Sequence, residues 1–156
     1  MRVLFMCTAN SCRSILSEAV FNHLAPPGFV ALSSGSFPRG QVLPRSLSTL
    51  QQAGISIDGL HSKGNDAFEG NPPDIVITVC DKAAGETCPV YFGPALKAHW
   101  GLEDPSDVSG DEALIDTAFR ATLGHIERRC KAFIELPFQR LSRDELKHEL
   151  DRIGTL

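Results

Sequence analysis

The 156-residue chain holds one tyrosine, one tryptophan and two methionines. No apolar run approaches the roughly 18 residues that a membrane-spanning helix needs, so none is predicted. The opening Met1-Arg2-Val3-Leu4-Phe5-Met6 has a single positive charge and an apolar run too short for a secretory leader. Positive charge is in deficit: 15 Lys and Arg against 19 Asp and Glu, a formal net charge of −4. That argues against a general nucleic-acid binder. The five cysteines, Cys7, Cys12, Cys80, Cys88 and Cys130, form no paired clusters of zinc-binding spacing. An odd count without a leader also argues against a secreted disulfide framework. The expectation is a cytoplasmic chain in a reducing compartment, whose thiols react, bind metal or simply pack. Internal repeats and low-complexity stretches are absent.

What is present suits one domain. Hydrophobic residues make up 42% of the chain and charged residues 22%, enough apolar material for a core without disulfides. Arg2 to Met6 reads as a buried strand. From Ser14 the pattern turns helical, with Ile15, Ala19, Val20 and Leu24 on one face, until Pro26-Pro27-Gly28 stops it. Phe29 to Ser33 is a second strand, and Leu43 to Ala53 a helix ended by Gly54. Asn65 to Phe68 starts a short helix. Asp74 to Val79 is the clearest strand, apolar on consecutive positions as a strand covered on both faces requires. Leu96 to Trp100 is the fourth. Glu112 to Leu136 is a long helix with Leu114, Ile115, Ala118, Ala121, Leu123, Ile126, Cys130 and Phe133 as its buried stripe. Pro137 ends it. Ser142-Arg143-Asp144-Glu145 is a capping box opening a charged last helix, expected to be a loosely docked extension over 137–156 beside a main domain of 1–136.

Alternating strands and helices predict an α/β fold: a three-layer sandwich with a four-stranded parallel sheet flanked by helices. In such sheets the ligand crevice lies beyond the carboxyl ends of the strands. Cys7, Ser34, Cys80 and Trp100 all follow predicted strands and should converge there. Trp100 is equally a core anchor and is assigned no chemistry.

Cys7-Thr8-Ala9-Asn10-Ser11-Cys12-Arg13-Ser14 joins a strand to a helix. A short loop of small residues can curl so that its N–H groups face one centre, and the helix N-terminus adds positive partial charge. Thr8, Ala9, Asn10, Ser11, Cys12, Arg13 and Ser14 are therefore the expected oxyanion-binding residues. Arg13 supplies a planar fork for two oxygens, Cys7 faces the central atom as nucleophile, and Ser14 can donate to its sulfur. Cys12 is read as structural, and Cys130, on the long helix, as core. The rival reading is an ordinary strand-to-helix turn.

These residues resemble the phosphate-binding loop of low-molecular-weight protein tyrosine phosphatases and of the arsenate reductases built on the same fold. Ser34-Gly35 and Asp104-Pro105 resemble further segments of that family, and the likeness runs from Met1 to about Cys130. Asp104 precedes a proline, which biases it toward extended backbone, and it follows a strand at the ligand end. The resemblance implies that Asp104 is the general acid; alone, Asp-Pro would be a turn.

In the similar reductases a resolving thiol follows the third strand and another lies a few residues on, which implies Cys80 and Cys88 as a redox pair. Their spacing is one residue longer than in the thioredoxin-coupled form. Either thiol could otherwise be a packed small hydrophobe. The implied reaction begins with Cys7 attacking arsenate while Asp104 protonates the departing oxygen. Cys80 then attacks the Cys7 adduct and arsenite leaves. Cys88 finally takes the disulfide from Cys7–Cys80 to Cys80–Cys88, which an external thiol system reduces. That system is thioredoxin or glutathione with glutaredoxin. Residues eight apart on a helix are separated by about 12 Å, and a disulfide needs Cα atoms within about 7 Å. The 80–88 segment should therefore not be a rigid helix throughout the cycle, with Gly85 as its hinge.

Asn10, Glu18 and Ser33 or Ser34 resemble potassium-binding positions of some reductases. Lys63 stands where those carry an acidic residue. Its ammonium either replaces the ion or is a solvated surface charge, and no metal or other cofactor is expected. The expected ligand is arsenate, with phosphate or sulfate as analogues, and the expected state is a monomer. One alternative is a phosphatase working through a phosphocysteine, weakened by having Tyr91 as its only tyrosine. Another is a non-catalytic oxyanion-binding module.

Overall fold

The computed structural model describes residues 1–80 and 92–156. Four parallel strands form one sheet in the order β2-β1-β3-β4, with β1 Arg2–Cys7, β2 Val30–Gly35, β3 Ile75–Thr78 and β4 Leu96–His99. The helices are α1 Arg13–Leu24, α2 Pro44–Gln52, α3 Glu112–Ile134 and α4 Arg143–Ile153. β1 lies between β2 and β3, and the layers packed on both faces of the sheet cover its side chains, so Val3 through Cys7 are all buried.

Strand alternation sorts the core into two layers. Val3, Phe5 and Cys7 join Ile75, Ile77, Ala98 and Trp100 against Leu16, Val20 and Phe21 of α1, Phe119 to Phe133 of α3, and Leu150 and Ile153 of α4. On the opposite face Leu4, Met6 and Val76 pack with Phe92, Ala95 and Phe68. The expected α/β sandwich is thus present. Its second outer layer is formed, among the described residues, by the 3₁₀ turn Asn65–Phe68 and the residues leading into β4.

Two expectations are corrected. In α3, Leu114 is 56% exposed and Ala121 also faces solvent, while Phe119, absent from the predicted stripe, is fully buried. Leu114 lies beside Gly110 and Ala121 borders an open cleft, so neither is covered by the core. The last helix is not loosely docked. Its capping box forms as read, with Ser142 and Glu145 bonding each other's backbone N–H. Leu150 and Ile153 then enter the main core without exposed surface. Its charged residues belong to the outer face.

Candidate active site

The carboxyl ends of the strands bring the site together. Cys7 closes β1 opposite Gly35, the last residue of β2. The loop from Thr8 to Cys12 then rises into α1, whose first turn carries no acidic residue. No side chain of that turn opposes the positive end of the helix dipole.

The loop's shape is set by what holds its carbonyls. Thr8 O accepts from Phe37 N at 2.9 Å and Ala9 O from Arg39 N at 2.9 Å and Ser62 Oγ at 3.2 Å. Ser11 O accepts from Leu43 N at 3.0 Å. Holding these oxygens outward turns the intervening N–H groups toward the inside of the curl, the geometry of an anion nest. Asn10 is fully buried with a left-handed φ of 47°, a conformation asparagine tolerates better than most residues. Gly35 is required beneath it: a Cβ there would lie 2.4 Å from Thr8 O and 3.0 Å from Asn10 N.

A directed hydrogen-bond chain reaches the Cys7 sulfur. Lys63 N donates to Asn10 Oδ1 at 2.9 Å, which fixes the amide, and Asn10 Nδ2 donates to Ser14 Oγ at 2.8 Å. Ser14 Oγ lies 3.0 Å from Cys7 Sγ. Because Ser14 accepts from Asn10, its own proton is available to the sulfur.

Arg13 does not point its whole fork into the loop. One terminal nitrogen donates to Leu102 O at 3.1 Å and the other meets Asp104 Oδ2 at 3.3 Å. Asp104 is extended (φ −79°, ψ 109°), as its proline predicts, and its Oδ1 accepts from the backbone and hydroxyl of Ser106. Cys80 is buried just after β3, with its sulfur 3.7 Å from Thr8 Oγ1. Cys7, Arg13, Asp104 and Cys80 therefore share one site. Cys88, Tyr91 and Gly85 lie outside the described residues.

A model described as low molecular weight phosphotyrosine protein phosphatase matches residues 2–149. The chain belongs to this family. Within reach of the same fold lies the arsenate reductase of Bacillus subtilis (strain 168), 30% identical over 133 residues, 85% of this chain and 94% of the relative. A solved arsenate reductase in the phosphate binding state superposes with a TM-score of 0.71 at 28% identity, covering 85% of this chain and 95% of that one. The thioredoxin-dependent arsenate reductase of Corynebacterium glutamicum gives a TM-score of 0.61 at 28% identity, over 83% of this chain and 60% of that one.

The remaining residues of this family member sort by environment. Cys12 is buried and desolvation pushes its thiol up to about 12, against a hydrogen bond with Ser46 that pulls it down. Cys130, enclosed in α3, is also pushed up to about 12 by burial. Both are poor nucleophiles, in keeping with a packing role. Trp100 is a core residue: its indole donates to Leu150 O at 2.9 Å and its ring meets Phe5 and Phe133.

Lys63 is not a solvated charge. Its ammonium donates to His61 O at 2.9 Å and Ser33 Oγ at 3.3 Å, and stands 3.6 Å from Glu18 Oε1. Burial lowers its pKa and Glu18 opposes that shift. Among the described residues no group of three His, Cys, Asp or Glu is arranged to hold a metal ion. Nor is any helix there long and apolar enough to cross a membrane.

Sequence reasoning missed the residues that strap the loop from outside. Ser46 Oγ, Ser62 Oγ and the amides of Phe37, Arg39 and Lys63 act from three separate segments. Most act through backbone groups that every residue carries, so residue type signals nothing. Leu102 O, which anchors Arg13, is invisible for the same reason.

Proposed function

We propose that the chain reduces arsenate to arsenite, with Cys7 as nucleophile and Cys80 and Cys88 as its redox relay. The observation that carries this reading is the second thiol: Cys80 Sγ sits 3.7 Å from the hydroxyl of Thr8, the residue after Cys7. A phosphatase working through a phosphocysteine needs no thiol there. The similarity to proteins named arsenate reductases supports the same choice.

The oxyanion enters the nest of residues 8–14 and competes with Asp104 for Arg13. The Cys7 thiolate attacks arsenic, and Asp104 protonates an arsenic-bound oxygen, which departs as water. The Cys80 thiolate attacks Cys7 Sγ. The Cys7–arsenic bond breaks with its electron pair on arsenic, which leaves as arsenite, and two electrons have moved from the thiols to arsenic. Cys88 attacks Cys80, freeing Cys7, and an external dithiol such as thioredoxin, or glutathione with glutaredoxin, reduces the Cys80–Cys88 disulfide. Lys63, between Glu18 and Ser33, supplies the positive charge that a potassium ion would otherwise bring to the loop's support. The chain works as a cytoplasmic monomer, with residues 137–156 docked on the domain of 1–136 through Leu150 and Ile153.

The test is arsenate turnover with a dithiol reductant in wild type, Cys7→Ser, Cys80→Ser and Cys88→Ser. Loss in all three variants is expected. Wild-type turnover in Cys80→Ser and Cys88→Ser would sink the relay. The second reading, phosphomonoester hydrolysis, is favoured by the family's loop itself. It predicts aryl phosphate cleavage that survives the Cys80 and Cys88 changes and vanishes in Cys7→Ser.

A further inference from the structure

Among the described residues, Arg129 is the one charged side chain that is buried, at 5% exposure. Its guanidinium faces main-chain oxygens: Gly101 O at 3.0 Å, Gly154 O at 3.0 Å and Leu156 O at 3.3 Å. Its Nε has no hydrogen-bond partner among the described residues. Enclosing a cation this way costs several kcal/mol, and apolar residues of similar volume are often as good or better for stability. Stability alone is a poor reason for an arginine here.

The carbonyls it joins are informative. Gly101 is the root of the segment that carries Asp104, and the next carbonyl, Leu102 O, is held by Arg13. Two arginines thus grip consecutive carbonyls. Beneath the segment lies a cleft of about 420 Å³, bounded by Leu102, Pro105, Val108, Ala118 and Thr122. Leu102 and Pro105 are buried, but the rest of the segment borders this cleft, so the two arginines add to packing in setting its course. Arg129's other partners lie at the end of α4, which presses on the same root. A Cβ on Gly154 would come within 2.5 Å of His99 O, Trp100 donates to Leu150 O, and His125 Nε2 lies 2.6 Å from Leu156 O.

We propose that Arg129 is a positioning residue for Asp104, tying the root of the acid segment to the end of the last helix and so setting where the general acid stands. This rests on the reading of Asp104 as that acid. Arg129 touches neither the loop nor Cys7, so its effect should pass through the segment that carries Asp104, and phosphate affinity reads whether Arg13, held by Leu102 O of that segment, moves with it.

A double-mutant cycle in the full chain tests it. Arg129→Met, Arg129→Lys and Gly154→Ala are each made alone and with Asp104→Asn. Arsenate kcat and KM, and the dissociation constant for inorganic phosphate, are measured. A misplacement near 1 Å costs up to about a hundredfold, so a drop in kcat of about tenfold is expected for Arg129→Met. KM and phosphate affinity should hold within about twofold, and in the Asp104→Asn background the further loss should also be under about twofold. Arg129→Lys and Gly154→Ala should show smaller losses with the same dependence on Asp104, and they carry the cycle if Arg129→Met does not fold. A loss that persists undiminished in Asp104→Asn, or weakened phosphate binding, overturns the proposal in favour of a purely structural staple. A wild-type kcat in all three variants, with Asp104→Asn slow, overturns the clamp alone. A wild-type rate in Asp104→Asn overturns the acid assignment and the clamp together.

Discussion

Asn10 Nδ2 stands 2.8 Å from Ser14 Oγ, and that contact decides the direction of the next one, from Ser14 to Cys7 Sγ at 3.0 Å. A hydrogen bond to a charged group contributes about 1.5–3 kcal/mol, roughly ten- to a hundredfold in rate. Ser14→Ala should slow turnover by that factor while leaving the fold intact by circular dichroism. Asn10→Ala should do the same and also weaken phosphate binding, because it removes the fully buried left-handed residue of the loop. Unchanged rates in both would remove the chain from the mechanism.

Gly35→Ala tests the support beneath the loop. The added Cβ would meet the backbone at Thr8 O and Asn10 N rather than the end of a flexible side chain. Overpacking of this kind costs about 1–3 kcal/mol, so a lower midpoint in urea is expected, with phosphate affinity reduced about tenfold or more. Wild-type phosphate affinity would mean that the loop does not depend on this contact.

The two buried thiols give a pH prediction. Burial holds Cys12 and Cys130 at about 12 in the folded chain, against roughly 8.5 for an unfolded cysteine. A folded value above the unfolded one means that stability is fully present below about pH 8.5 and is lost as the pH climbs toward 12. Each thiol contributes up to about 1.4 kcal/mol per pH unit in that window. The fall in unfolding free energy between about pH 9 and 11 should be shallower in Cys130→Ala than in wild type. Iodoacetamide at neutral pH should leave both thiols unmodified in the native protein, as read by peptide mass spectrometry.

The ammonium of Lys63 predicts indifference to potassium. Turnover in sodium and in potassium buffers of equal ionic strength should match. Lys63→Asp, which places a carboxylate near Glu18 and Ser33, should lose stability in sodium and recover part of it in potassium, read by the thermal midpoint. A potassium-stimulated wild type would contradict the substitution of ammonium for ion.

Leu150→Ala tests the docking of α4. Truncating a fully buried leucine costs about 2–5 kcal/mol, which should appear as a lower urea midpoint in a single cooperative transition. A near-neutral effect would restore the loosely docked extension that the charged sequence suggests.

What the sequence displayed well was local. The Cys7-to-Ser14 loop is contiguous, its chemistry lies in residue types, and the Asp104-Pro105 pair announces its own backbone. β3 is legible because Ile75, Val76 and Ile77 are apolar on consecutive positions and buried on both faces. The long helix was legible as a helix but misread at Leu114, Ala121 and Phe119, since periodicity identifies a face and cannot say which of its residues other elements cover. Leu114 and Phe119 exchanged roles for that reason. Arg129 follows the exposed Arg128, and what separates the two is the approach of Gly101, Gly154 and Leu156. The last helix looks polar because Leu150 and Ile153 alone carry its docking.

Cys7 occupies the final rung of β1, paired with Gly35, and its side chain shares a face with Val3 and Phe5. Side chains in a strand alternate with a period of two, so a one-residue shift of β1 would exchange the faces along its whole length. A single-residue insertion between Val3 and Met6 would deliver the sulfur to the Leu4 and Met6 side, away from Ser14. The sulfur's address is therefore a matter of parity, and among changes to β1 a change of length should be more damaging than a change of residue.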